Sequence, residues 1–104
     1  MTEEKTNYII FSKWAEFVQK EGSNMHELGV LIQAVKTVDR IAKENHIKKV
    51  KHITLAVGEE SGYVPVFLTK LFPVAADQFP AMKDTQLKIE QVPGRGLQIK
   101  DLGY

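Results

Sequence analysis

Cysteine is absent from this chain of 104 residues. Its absence removes disulfides, thiolate nucleophiles and cysteine-ligated zinc together. A charge of one sign is missing too. The 14 basic and 13 acidic residues leave a formal net charge of +1, so no broad field draws the chain toward nucleic acid. The one basic cluster, Lys48-Lys49-Val50-Lys51, is short and reads as a solvated strand start. No apolar run approaches the roughly 18 residues that span a bilayer, and Met1-Thr2-Glu3-Glu4-Lys5 is too polar for a secretory signal. A single soluble, cytoplasmic domain is expected, with no nucleic-acid or membrane partner. Catalysis finds little support: there is no Gly-rich phosphate loop, since Gly94-Arg95-Gly96 is too short, and no carboxylate pair placed by spacing. The chain is not expected to be an enzyme.

What is present divides in two. Residues 1–24 form an N-terminal extension in which Phe11, Trp14, Ala15 and Val18 recur at i, i+3, i+4 and i+7. That spacing predicts a short amphipathic helix ending near Gly22, too short to hold alone in water. Residues 25–104 carry the domain. Leu28, Leu31, Ile32, Val35, Val38, Ile41 and Ala42 line one face of a helix from about Met25 to Asn45, with Asn24 and Glu27 spaced as a capping box. Val50–Val57 alternates as a strand, with Ile53, Leu55 and Val57 opposite His52 and Thr54. A second helix is expected over Val64–Phe79, with Pro65 in its first turn and Pro73 kinking or splitting it. Two strands, Gln86–Val92 and Leu97–Leu102, follow, and Pro93-Gly94-Arg95-Gly96 between them suits a hairpin turn. The expected fold is α/β (α+β): a two-layer sandwich of two main helices on a three-stranded mixed sheet, plus the short N-terminal helix.

The chemistry-bearing motif is Met25-His26-Glu27, at the mouth of the long helix. An amine, an adjacent imidazole and the intervening backbone amides can wrap a square-planar ion such as nickel(II) or copper(II). An internal Met supplies a peptide nitrogen instead of an amine, which leaves His26 as the anchor of a weaker site. The competing reading is structural: Glu27 complements the helix dipole, and His26 is a polar residue of the first turn. The remaining histidines are scattered, and His46 at a helix end and His52 on a strand read as charge partners. Glu59 and Glu60 read as solvent-facing turn residues.

Met25-His26-Glu27-Leu28, the helix behind it, Val57-Gly58-Glu59 and the Ser61-Gly62 turn resemble the HypA/HybF family of nickel metallochaperones for hydrogenase, in some organisms urease, maturation. The resemblance covers residues 25–104. It implies a nickel site at Met25, His26 and Glu27, a GTPase partner and a nickel-enzyme precursor as recipient. Two departures stand out. The family's zinc ribbon, with two Cys-x-x-Cys pairs, has no counterpart, so no structural zinc is expected. Either Pro93-Gly94 replaces a deleted ribbon, or Ile99-Lys100-Asp101-Leu102 stands where the first Cys-x-x-Cys would be. Val64 occupies a place where some relatives have a carboxylate. The alternative to a nickel carrier is a metal-free interaction module that keeps the family's docking surface. A homodimer through the surface the ribbon once covered, or through the extension, is a further expectation.

Overall fold

A computed structural model describes residues 6–11 and 27–104. Its elements run β1 (Tyr8–Ile10), α1 (Glu27–Glu44), β2 (His52–Gly58), α2 (Pro65–Ala76), a 3-10 turn (Pro80–Met82), β3 (Gln86–Val92) and β4 (Leu97–Gly103). The sheet order is β1-β4-β2-β3. β2 pairs parallel with β3 and antiparallel with β4, so the sheet is mixed, and α2 makes the crossover that a parallel pair requires. No described helix is long and apolar enough to cross a membrane.

α1 buries Val30, Leu31, Ala34, Val35, Val38, Ile41 and Ala42 against the sheet, while Leu28 and Ile32 stay half-buried. On its exposed side Arg40 pairs with Glu44 at 2.9 Å, and exposed Lys43 reaches the buried Asp39 at 3.0 Å, both at i,i+4. The helix ends in a Schellman turn. Ile47 N–H donates to Ala42 O at 2.8 Å and His46 N–H to Lys43 O at 3.2 Å, while the Asn45 amide caps Ile41 O. His46 therefore takes the left-handed position, with φ of 57°, where glycine is the usual occupant. Its role is conformational. α2 starts at Pro65 and runs through Pro73 unsplit to Ala76. Pro73 lies on the solvent side, where the carbonyl it leaves without a helical donor faces water. Leu68, Phe72, Ala75 and Ala76 pack inward, and the core closes on Ile53, Leu55, Val57, Leu97, Ile99 and Leu102.

Three expectations are corrected. The sheet has four strands instead of three, because Tyr8–Ile10 of the extension adds to β4 as an edge. That described part of the extension is strand and not helix. Phe11 lies just beyond it, donating to Lys100 O at 2.9 Å, and Trp14, Ala15 and Val18 lie outside the described residues. The third correction concerns the last two strands, which form no hairpin. Pro93–Gly96 carries the chain over the end of β2, so β3 and β4 flank it on opposite sides. The crossing is close: Gly58 N–H donates to Gly96 O at 2.7 Å, and a Cβ on Gly58 would lie 2.4 Å from Gly94 O. Only glycine lets the two backbones meet there.

β4 also holds a bulge. Its register on β2 slips between Thr54 and Leu55, with Lys100 as the extra residue. The slip turns both Ile99 and Leu102 into the core and sends Asp101 to the far face; strict alternation would bury Asp101 among aliphatic side chains. On that far face Lys100 reaches across β2 to Glu90 of β3, and the carboxylate raises the Lys100 pKa.

Candidate functional site

The loop after the carboxyl end of β2 is built on backbone hydrogen bonds. Gly58 N–H and Glu60 N–H are held by the crossing loop, the latter by Gly94 O at 2.8 Å, and Ser61 N–H closes a turn on Gly58 O at 3.0 Å. Gly62 then takes φ of 84°, and Tyr63 N–H donates to Ser61 Oγ at 3.2 Å. This double turn aims Tyr63 toward the start of α1. Burial raises the Tyr63 phenol above its ordinary pKa, and the neighbouring Glu27 carboxylate raises it further. Glu27, in the first turn of α1, is thus near enough for its charge to be felt at Tyr63, in the loop after β2.

Of the three residues the motif supplies, Glu27 is described, as the first residue of α1. Met25 and His26 lie outside the described residues, as does the Asn24 cap. Glu27 stands beside Tyr63, with exposed Val64 following at the entrance to α2. Glu59 and Glu60 are exposed, as expected, and Glu60 lies 3.8 Å from Arg95 of the crossing loop. Among the described residues no three or more His, Cys, Asp or Glu side chains are grouped to hold a metal ion.

Sequence reasoning missed Tyr63. Its signal was the Ser61-Gly62 turn, whose left-handed glycine reverses the chain toward the helix mouth. A second cluster lies at the opposite end of β2. His52 Nε2 sits 3.3 Å from Asp101 Oδ1, with side-chain exposures of 7% and 19%. That oxygen is buried and meets no well-aligned hydrogen-bond donor among the described residues. The Tyr8 ring lies 5.2 Å from the imidazole, tilted by 56°. Both rings meet above Gly103, where a Cβ would fall 2.1 Å from His52 Cε1. His52 thus lies against Asp101, at the end of β2 away from the start of α1.

The described residues form a small α+β domain of two helices and a four-stranded mixed sheet. The family it belongs to follows from comparison. Residues 25–97 match the family described as hydrogenase/urease nickel incorporation, metallochaperone, hypA, and the chain belongs to that family. Its members are metallochaperones and not enzymes. The hydrogenase maturation factor HypA of Methanosarcina barkeri is 39% identical over 69 residues, covering 66% of this chain and 51% of that protein. The corresponding factor of Deinococcus radiodurans is 31% identical over 72 residues, covering 69% and 59%. The chain thus spans little more than half the length of these relatives. The solution structure of the nickel metallochaperone HypA from Helicobacter pylori shares the fold, with a TM-score of 0.61 at 24% identity over 65% of this chain and 58% of that one.

Proposed function

We propose that the chain binds nickel(II) as cargo for the maturation of a nickel enzyme, a hydrogenase or a urease. Support comes from one coincidence. The family match begins at Met25, and Glu27, the residue after His26, stands at the helix mouth beside the Tyr63 turn. His26 would supply the imidazole, Glu27 a carboxylate, and the peptide nitrogens around Met25 the remaining donors. Peptide nitrogens bind such an ion only by giving up their protons, so affinity should rise with pH. Residues 25–104 act as the carrier domain, without structural zinc, and residues 1–24 as an added segment. A GTPase partner and an enzyme precursor as recipient complete this reading.

Calorimetric titration with nickel(II) tests it on three forms. The full chain should bind weakly, His26→Ala should abolish binding, and a form starting at Met25, with a free amine, should bind more tightly. If the trimmed form takes up no nickel at any pH, the carrier reading is wrong. The second reading, a metal-free docking module, is favoured by the exposed apolar residues Val64, Val66, Phe67 and Val74 in and before α2. It predicts that His26→Ala leaves enzyme maturation in cells unchanged.

A further inference from the structure

Where α2 ends, the chain turns back through the 3-10 turn, and residues of the 72–85 stretch line a cleft of about 460 Å³. Its lining is apolar at depth: Phe72, Ala76 and Met82 are buried, and Phe79 is half-buried. A concavity of this volume is of the size that holds a small organic molecule. The polar groups around it decide which kind.

Its hydrogen-bond donors are largely spent. The backbone N–H groups of Asp77, Phe79, Met82, Lys83 and Thr85 donate to carbonyls of Val74, Ala76, Phe79, Pro80 and Met82 within the same turns. Pro73 and Pro80, also in the lining, have no N–H to give. The Thr85 hydroxyl donates its proton to Val50 O at 2.6 Å, which leaves its oxygen as an acceptor. Acceptors, by contrast, are in excess. Asp77 and Asp84 both line the cleft, and neither forms an ion pair among the described residues. Asp77 is also the C-cap of α2, where the helix dipole adds negative potential. Lys83 is the one cation in the lining, exposed and joined to neither carboxylate.

An apolar floor under unpaired acceptors and negative charge suits a molecule with an apolar body and a donating, positive end. An anion of the same shape would meet two carboxylates and few free donors. We propose that this cleft binds a small organic cation, an aromatic or branched aliphatic amine. Its body lies on Phe72, Phe79 and Met82, and its ammonium is received by Asp77, Asp84 and the Thr85 oxygen. The whole lining comes from one stretch of chain, so the site is complete within a single copy. α2 separates it from the Tyr63 turn by about 18 Å, twelve residues at 1.5 Å each. Amine binding is therefore independent of nickel.

Titration of the full chain with tryptamine, in chelator, tests the proposal by amide shift mapping and calorimetry. The expected result is saturable binding with a dissociation constant on the order of 1 mM and shifts concentrated in residues 72–85. Indole-3-propionate, with the same ring and the opposite charge, should bind about tenfold more weakly. Asp77→Asn and Asp84→Asn should each weaken tryptamine about threefold, and Lys83→Ala should tighten it about twofold by removing a competing cation. Melting by circular dichroism checks that each variant is folded. His26→Ala should bind tryptamine like the parent, which separates this result from the outcome of the nickel titration. No shifts in residues 72–85 at roughly 10 mM tryptamine would overturn the proposal, as would equal binding of the amine and the acid. A capped tryptophan–lysine dipeptide that binds more tightly than tryptamine would assign the cleft to a protein side chain and overturn the small-molecule site.

Discussion

The two faces of β2 are buried equally and by different means. Toward the helices, Ile53, Leu55 and Val57 disappear among aliphatic side chains from α1, α2 and β4. Toward the other side, His52, Thr54 and Ala56 are also buried, and neither of the two described helices packs over them. There the cover comes from neighbouring strands: the Tyr8 ring, Asp101, and the Lys100–Glu90 pair that spans β2. One face is held by area removed from water. The other is held by a polar pair, a glycine and an added edge strand, each of which must be in place for the rest to stay covered.

Substitutions can test that difference. Leu55→Ala on the helix side should cost about 2–5 kcal/mol in denaturant unfolding, the transfer term plus a cavity that packed neighbours refill poorly. Gly103→Ala should cost about 1–3 kcal/mol, because the new methyl occupies the imidazole's place and forces His52 out of its contact with Asp101. Combining it with His52→Ala should cost less than the sum of the two; strict additivity would refute the crowding argument. Tyr8→Ala should remove about 1 kcal/mol and increase amide exchange along β4 more than along β3. Equal exchange on both strands would mean that β1 covers nothing.

Away from both faces, His46→Gly should stabilise the chain by about 0.5–1 kcal/mol, since glycine takes the left-handed position without a Cβ penalty. Glu27→Gln should lower the Tyr63 pKa, read as phenolate absorbance, without returning it fully to the ordinary value, because burial is the larger cause. The sign for stability follows. With its folded pKa raised, Tyr63 loses its proton first in the unfolded chain, so stability falls as alkaline pH rises through that range.

Much of this architecture was legible in the residues. Leu31, Val35 and Val38 announced the buried face of α1, and the alternation of Ile53, Leu55 and Val57 announced β2, because both periods follow from local backbone geometry. The path of Pro93–Gly96 was not legible. A Pro-Gly turn suits a hairpin equally well, and the choice of neighbour for β4 depends on Gly58, 36 residues before Gly94, leaving room for the crossing. The bulge at Lys100 was hidden for a related reason: it exists to fit Leu102 against a strand distant in sequence. The helical spacing of Phe11, Trp14, Ala15 and Val18 masked the pairing of Tyr8–Ile10, since three residues make too short a strand to show a period. For the candidate site, the sequence marked Glu27 and the Ser61-Gly62 turn as separate motifs; that Tyr63 joins them is a property of the tertiary fold.

β1 has a consequence for how this chain could be processed. A three-residue strand holds its berth chiefly because the continuous polypeptide keeps its local concentration high. In the chain, β1 precedes Met25, and α1 begins at Glu27. A single proteolytic cut immediately before Met25 would therefore do two things at once: create an α-amino group next to His26, and let the severed segment diffuse away from the ring of His52 at the other end of the sheet.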